Sequence, residues 1–560
     1  MVIASIAELV SIGLVIPFLS VLTDPALVYS NEFFRPYLVY FNINNADALL
    51  LPITIAFAAA ALLAGVVRVL LIVVQTKVGY LTGAELGVQI FSKTLHQPYE
   101  AHLQNNTSEI IAGIAHKTTA LVQQGIIAIL TIISSSLLLI SIVSVLLAIN
   151  FEVALISFAI FGGIYGVVVI TTRPAIEEKG RLVTRMQGSV VKNIQEGLGA
   201  VRDILLDGSQ SVYVGAFEKS EFSLRRAQIV HIILSTTPKF IVEALGIALI
   251  AVLAYFLISD GSSTVAIFPT LGALALGAQR LLPTLQQLYA TWSSFRAGQA
   301  AFTDALNLLD QPVKTIEIQS EPFIFKDGLK LNNVSFRYLS DDTLVLDEVD
   351  LDIPLGSRVG IIGSTGSGKS TILDILMGLL QPTSGQLLVD NAVITENNSH
   401  LWQRMVAHVP QTIFLSDATI AENIAFGELK ENIDYRKVEQ AIELAQLSST
   451  ICKLSDGYES MVGERGVRLS GGQRQRIGIA RALYKGANTI IFDEATSALD
   501  SVTEKEVMES ISALPKEITM IIVAHRTSTL AKCDFIYKLQ NSKLTRMPTT
   551  KTFSSTGIVG

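Results

Sequence analysis

Residues Gly363-Ser364-Thr365-Gly366-Ser367-Gly368-Lys369-Ser370-Thr371 set three glycines among small hydroxyl residues and one lysine. The apolar run Val359 to Ile362 precedes them, and a helix-forming stretch, Ile372 to Leu380, follows. The spacing is G-x-x-x-x-G-K-[ST] in the strand–loop–helix setting that the motif requires. Glycines let backbone N–H groups close around phosphate oxygens, and a helix opening near Lys369 adds its positive end. Lys369 would neutralise the β and γ phosphates, and Ser370 would hold Mg²⁺. The expected ligand is therefore ATP with Mg²⁺. Further on, the apolar run Thr489 to Phe492 ends in Asp493 and Glu494. That pattern fits a buried strand whose aspartate binds Mg²⁺ through water. Glu494 then stands ready to polarise an attacking water.

These two motifs specify a nucleoside triphosphatase and no more. A third stretch narrows it. Leu469-Ser470-Gly471-Gly472-Gln473 is a loop of small residues that leads into the helical Arg474 to Tyr484. It is a second helix start suited to an anion. One γ phosphate seldom needs two such ends in one chain. The arrangement makes sense if the second end serves a nucleotide held by another subunit.

With that stretch in place, the sequence resembles the ATP-binding cassette transporters over about residues 327–540. LSGGQ looks like their signature, and further matches follow in the same order. Tyr338, in VSFRY, sits where an aromatic ring stacks on adenine. Gln411 sits at the Q-loop, which touches Mg²⁺ and the membrane domain. Gly463 to Gly466 resembles the X-loop of exporters. Ser497-Ala498-Leu499-Asp500 resembles the D-loop, with Asp500 near the nucleotide. His525 ends a strand as the switch histidine does. The resemblance implies Glu494, His525 and Gln411 as catalytic residues, and Ser370, Gln411 and Asp493 around Mg²⁺. It also implies a head-to-tail ATP sandwich in which Ser470, Gly471, Gly472 and Gln473 of one chain close over the partner's nucleotide. One cassette per chain makes a half-transporter, and intact catalytic positions favour a homodimer.

The elements that must position these residues divide the chain in two. Half of the 560 residues are hydrophobic, and the mean hydropathy is +0.48, high for a soluble domain. The apolar residues crowd into six stretches, roughly 2–23, 49–77, 122–149, 151–172, 232–258 and 264–288, each long enough to cross a bilayer. Two polar segments of helical periodicity, about 78–121 and 173–231, read as helices continuing into the cytoplasm. The second carries nine Lys and Arg, whereas the opposite connections carry one, Arg35, so the long segments face the cytoplasm. Turns at His96–Gln104 and Gly197–Gln210 are candidates for coupling to the cassette. The expected fold is thus an α-helical membrane domain of six transmembrane helices, of the type I exporter kind, plus an α/β P-loop cassette. The boundaries are 1–308 for the membrane domain, 309–326 for a linker and 327–560 for the cassette. The first span opens at Met1 with no basic lead and no cleavage site, unlike a signal peptide. By the resemblance, a further cytoplasmic helix is expected before it.

Net charge of -7 argues against nucleic acid as a partner. Two cysteines, Cys452 and Cys533, suggest neither a disulfide framework nor a metal site. Within the spans, Glu8, Arg68, Lys239, Glu243 and Arg280 fall near one depth toward the inner leaflet, by a rise of about 1.5 Å per residue. Ionisable groups there are costly and usually functional. Arg68, Lys239 and Arg280 therefore suggest a basic level for an anionic lipid head, against simple snorkelling to headgroups. STTPKFIVEALG and GALALGAQRLLPTLQQL loosely resemble bacterial lipid-linked oligosaccharide flippases. That resemblance implies an inner-membrane exporter moving a polyprenyl-pyrophosphate-linked glycan. Alternatives are an exporter of another lipid, a drug or a peptide, or an ATP-gated channel or regulator.

Overall fold

The computed structural model describes residues 1–23, 25, 29, 46–104, 110–111, 113–149, 151–259, 264–311, 325–339, 343–495, 501–524, 530 and 532–547. Contacts divide the chain into two compact units: Met1–Gln97 with Ala101–Val313, and Pro98–Glu100 with Lys314–Gly560.

The described residues of the first unit are helical apart from short turns. Helices α1 (Val2–Gly13) and α2 (Val15–Thr23) meet at Leu14. Then come α3 (Leu50–Leu95), the short α4 (Tyr99–Gln104), whose first two residues are grouped with the second unit, α5 (Ile127–Ile149), α6 (Phe151–Gly199), α7 (Val201–Asp207), α8 (Gln210–Ser259) and α9 (Thr264–Leu309). Among the described residues, Val2–Leu22, Leu50–Leu95 and Gly113–Ala148 are long and apolar enough to cross a membrane. The other expected spans fall on α6, α8 and α9, of 49, 50 and 46 residues. At 1.5 Å per residue, a 46-residue helix rises about 69 Å, more than twice the hydrocarbon thickness of about 30 Å. These helices must therefore continue into water, as their polar halves require.

One segment departs from the expected plain helix. Between Gly113 and Ile126 the chain forms two π-helical turns, Gly113–Lys117 and Leu121–Ile126. The second of them lies against a glycine stripe on α3. A Cβ on Gly83 would stand 2.0 Å from Val122 Cγ2, and one on Gly79 would stand 2.4 Å from Ile127 Cγ1. Small residues at this spacing let helices approach closely.

The closest approach to backbone at a described glycine of this unit is between α6 and α9, where a Cβ on Gly180 would stand 2.2 Å from the carbonyl oxygen of Ala297. That neighbour is backbone and cannot swing aside. Gly180→Leu is therefore expected to force the helices apart and destabilise the unit by about 1–3 kcal/mol, the usual cost of overpacking. Thermal unfolding in nanodiscs reads this, and an unchanged melting temperature would contradict the packing.

The second unit is built on two sheets. A four-stranded antiparallel sheet has the order β2-β1-β4-β5, from β1 (Gly328–Phe336), β2 (Leu346–Pro354), β4 (Ser384–Val389) and β5 (Ala392–Val393). A six-stranded sheet has the order β10-β9-β3-β8-β7-β6. Its strands are β3 (Arg358–Gly363), β6 (Val406–Val409), β7 (Thr489–Asp493), β8 (Thr519–Val523), β9 (Phe535–Gln540) and β10 (Lys543–Met547). All neighbours pair in parallel except β9 and β10. Parallel strands are covered on both faces and so read as unbroken apolar runs. Every residue of β8 is buried, as are the first four of β7. Helices α10 (Lys369–Leu376), α11 (Ser399–Met405), α12 (Ile420–Ile424), α13 (Tyr435–Leu444), α14 (Gly471–Tyr484) and α15 (Ser501–Ala513) surround the sheets. Buried Trp402 on α11 donates from Nε1 to the carbonyl of Leu376 at 2.7 Å, capping the end of α10.

Candidate nucleotide site

In open α/β sheets, ligands bind beyond the carboxyl ends of the strands. Part of the expected set, Lys369, Gln411, Asp493 and Glu494, gathers there. Strand β3 runs out at Gly363, and β7 runs out at Asp493, which pairs in register with Val523 at the end of β8. The loop Gly363–Gly368 turns on two glycines in the left-handed region, Gly366 (φ 77°) and Gly368 (φ 100°), conformations that only glycine adopts without strain. Gly368 is the N-cap of α10. A Cβ on Gly363 would meet the Oγ of Ser367 at 2.6 Å and the carbonyl of Leu539 at 2.7 Å. Ser364 and Thr365 are exposed at the loop's rim, as is Ser370 just inside the helix.

Lys369 is buried, and its ammonium donates to the carbonyls of Gly363 (3.0 Å) and Ser364 (3.1 Å). The same group lies 3.8 Å from a carboxylate oxygen of Glu494. The buried hydroxyl of Ser367 has no hydrogen-bond partner among the described residues. An orphaned polar atom inside a turn of N–H groups suits a phosphate oxygen as its missing partner.

Glu494 adopts φ 48°, a strained choice for a residue with a side chain. Its backbone N–H donates to Val523 O at 3.0 Å, which fixes the turn directly after β7. Gln411 donates from its amide to Glu494 at 3.4 Å, and its own carbonyl accepts from Gln475 Nε2 at 2.8 Å. Burial raises the pKa of Asp493, neighbouring Glu494 raises it further, and Lys369 offsets part of this. Asp374 on α10 is pushed up to about 6 by burial and by the charge of Asp493. Asp493 and Glu494 thus share one lysine, and Asp374 adds a third carboxylate beside Asp493. Such a surplus of hard oxygen donors fits a cation such as Mg²⁺.

Tyr338 follows β1 with its ring 44% exposed. Its hydroxyl shares a hydrogen bond with Thr371 Oγ1 at 3.0 Å, and Phe336 meets it edge-on at 5.0 Å. These two contacts hold a ring that is still partly exposed.

Ser470 is the N-cap of α14 within a capping box. Its Oγ accepts from the N–H of Gln473 at 3.3 Å, and Gln473 Oε1 accepts from the N–H of Ser470 at 2.8 Å. Arg474 pins the loop by donating to the carbonyl of Leu469 at 2.9 Å. Gly471 opens the helix and Gly472 is buried. Having accepted one bond, the hydroxyl of Ser470 still has its own proton to donate. The hydrogen bonds of Ser470 and Gln473 stay within their own loop and helix, so they do not join the Lys369 cluster of the same chain. Asp500 and His525 lie outside the described residues, as do Ser497 to Leu499.

Sequence reasoning missed Asp374 and Gln475. Asp374 is the single acid in an apolar helix start, and Gln475 repeats the glutamine of the signature two residues on. Both signals are present but unspecific.

In the first unit, the residues of the expected basic level have different surroundings. Arg280 is not free: its Nη1 lies 3.1 Å from Glu8 Oε1, and Glu8 is buried. Arg68 lines a cavity of about 130 Å³ together with Glu8, Gln75, Ser134, Ser135 and Gln287. Lys239 is exposed, 5.7 Å from the ring centroid of its neighbour Phe240, and Glu243 is exposed as well. Depth came from residue counting, whereas the direction of each side chain depends on helix rotation.

The ABC transporter family pattern matches residues 346–497. An ATP-dependent lipid A-core flippase of Chromohalobacter salexigens is 30% identical over 464 residues, covering 82% of this chain and 79% of that protein. A protein of the same name from Idiomarina loihiensis is 28% identical over 471 residues, with 83% and 80% covered. The solved structure of a bacterial Atm1-family ABC exporter with ATP bound superimposes with a TM-score of 0.75 at 24% identity, covering 96% of this chain and 94% of that one. The phosphate loop, the acidic end of β7 and the capped signature helix thus belong to a chain of matching fold and near-matching length, and this chain is a member of the ABC transporter family, an exporter half-transporter that hydrolyses ATP.

Proposed function

We propose that the chain works as a homodimer in a bacterial inner membrane, where it flips an anionic glycolipid at the expense of ATP. The carrying observation is the 30% identity with a lipid A-core flippase over 82% of the chain. In this reading, residues 1–308 form the membrane domain, 309–326 the linker and 327–560 the cassette. The cassette lies in the cytoplasm. Ser370, Gln411 and Asp493 surround Mg²⁺, which draws charge from the phosphates when bound. Lys369 and the N–H groups of the loop hold the β and γ phosphates. Tyr338 stacks on adenine, and Glu494 takes the proton of the attacking water, with His525 and Asp500 completing the site. The partner subunit's Ser470 closes it from the other side.

The cargo's head is assigned to the cavity beside Arg68. A phosphate there meets Arg68 directly and competes with Glu8 for Arg280, since guanidinium groups bind phosphate in bidentate fashion. Lipid A-core and a polyprenyl-pyrophosphate-linked oligosaccharide both present phosphates next to sugars, so the cavity accepts the chemistry they share. ATPase activity in nanodiscs doped with each lipid separates them. Stimulation by lipid A-core alone assigns the cargo for which the relatives are named. Stimulation by the polyprenyl lipid alone assigns the other, and stimulation by neither overturns the glycolipid reading.

Arg280→Gln combined with Glu8→Gln is expected to lower lipid-stimulated ATPase by about tenfold, the loss of one charge-assisted pair, while basal ATPase stays intact. The double change leaves no buried charge orphaned, which a single one would do. Undiminished stimulation at normal expression would show that Arg280 serves only to neutralise Glu8.

A further inference from the structure

We infer that the Tyr289 hydroxyl substitutes for the backbone N–H that Pro238 lacks, and that this repaired break makes residues 234–238 of α8 a hinge of the transport cycle. In an α-helix, the carbonyl of residue 234 accepts from the N–H of residue 238. Residue 238 is a proline inside α8. It supplies no donor, and its ring crowds the preceding turn. The orphaned carbonyl is that of Leu234, and Tyr289 on α9 donates to it at 2.9 Å. Donor and vacancy coincide in one residue.

The surroundings hold the hydroxyl in place. Tyr289 is 5% exposed, and its ring lies between Tyr165 (5.8 Å) and Trp292 (6.1 Å). Thr172 on α6 lies 3.0 Å from the same hydroxyl and also donates to Val168 O at 2.7 Å. Two hydroxyl protons thus serve three contacts. Val168 O has its own helical donor, the N–H of Thr172, whereas the usual helical donor to Leu234 O is missing because residue 238 is proline. The Tyr289 proton is therefore committed to α8, and the Thr172 proton can be shared. About one turn away, Ser293 Oγ on α9 and His231 Nε2 on α8 approach at 3.5 Å. The α8–α9 junction is thus polar and specific at the place where α8 is weakest. A proline break with an external donor bends more easily than an intact ladder. Because that donor belongs to α9, the bend is registered against α9 and, through Thr172, against α6.

The test uses the full chain in nanodiscs of phosphatidylethanolamine and phosphatidylglycerol. Tyr289→Phe keeps the ring and deletes the hydroxyl. Pro238→Ala restores the backbone donor. Tyr289→Phe is expected to lower the melting temperature by about 3 °C when Pro238 is present, and by less than about 1 °C in the Pro238→Ala background. Hydrogen exchange over 230–240 is expected to change several-fold when nucleotide is trapped with vanadate in the wild type, and to stay unchanged in Pro238→Ala. Equal losses in both backgrounds would overturn the substitution of hydroxyl for N–H. A nucleotide-dependent exchange change that persists in Pro238→Ala would overturn the hinge. If Tyr289→Phe cannot be purified, recovery of the double variant upholds the pairing and its failure refutes it.

Discussion

Glu494→Gln is expected to lower steady-state ATP hydrolysis by about 100-fold or more, the usual effect of losing a general base, while ATP still binds within about twofold of wild type. The expectation rests on where the carboxylate is held. Strand β7 is buried up to Asp493, and the next residue turns out of the sheet with φ 48° and its N–H tied to Val523. That turn sets the Glu494 side chain between Lys369, 3.8 Å away, and the Gln411 amide, 3.4 Å away. Glutamine keeps the size and the backbone preference but cannot accept a proton at neutral pH. The phosphate cradle is made by the loop and by Lys369, so binding does not depend on the lost charge. The substitution also removes a carboxylate beside Asp493, whose pKa then falls back toward the ordinary range. The variant should accordingly be no less stable than wild type. Hydrolysis rates and equilibrium binding of radiolabelled ATP check the two halves of the expectation. Hydrolysis near the wild-type rate would assign the base elsewhere, and lost binding would show that Glu494 organises the cradle itself.

Different parts of this arrangement were unequally legible in the sequence. Lys369 and Asp493 stand at fixed offsets from glycines or at the end of an unbroken apolar run, so local pattern alone located them. The capping box of Ser470 and Gln473 was readable for the same reason, being confined to four consecutive residues. Asp374 was not readable, because its raised pKa arises from Asp493 on a distant strand. Glu8 and Arg280 could be placed at one depth, but that they pair with each other could not be read. Apolar run length gives the depth of a residue in the bilayer but not the rotation of its helix, and rotation decided which cations are free. The break at Pro238 could be seen in the sequence, but its donor Tyr289 could not, because nothing local couples span five to span six. The π-turns around Leu121 follow from close approach to Gly79 and Gly83, again a tertiary cause. Residues fixed by the backbone's own chemistry were legible, and residues fixed by a neighbouring helix were not.

Ser470→Arg should extinguish hydrolysis through the other subunit's site. In its own chain the change removes an N-cap side chain, a loss of about 0.5–2 kcal/mol, which a folded cassette tolerates. The damage at the site is steric and electrostatic, since a long cation replaces a small donor at the mouth of α14. The hydrogen bonds of Ser470 lie within its own loop and helix, which leaves its hydroxyl proton for a phosphate held by a partner. Purified heterodimers carrying distinct tags test this. One pairs Ser470→Arg with Lys369→Ala on opposite chains. In a head-to-tail sandwich, both lesions then fall on one site and the other remains whole. The second pairs a wild-type chain with a chain carrying both changes, so each site receives one lesion. The first heterodimer should therefore hydrolyse ATP at about half the wild-type rate, and the second should be nearly inactive. If Ser470 instead served the nucleotide of its own chain, the order would reverse: the doubly changed chain would be dead and its wild-type partner active. The reversed order, or equal rates in the two heterodimers, would remove the sandwich from the account, and with it the reason for the capped loop.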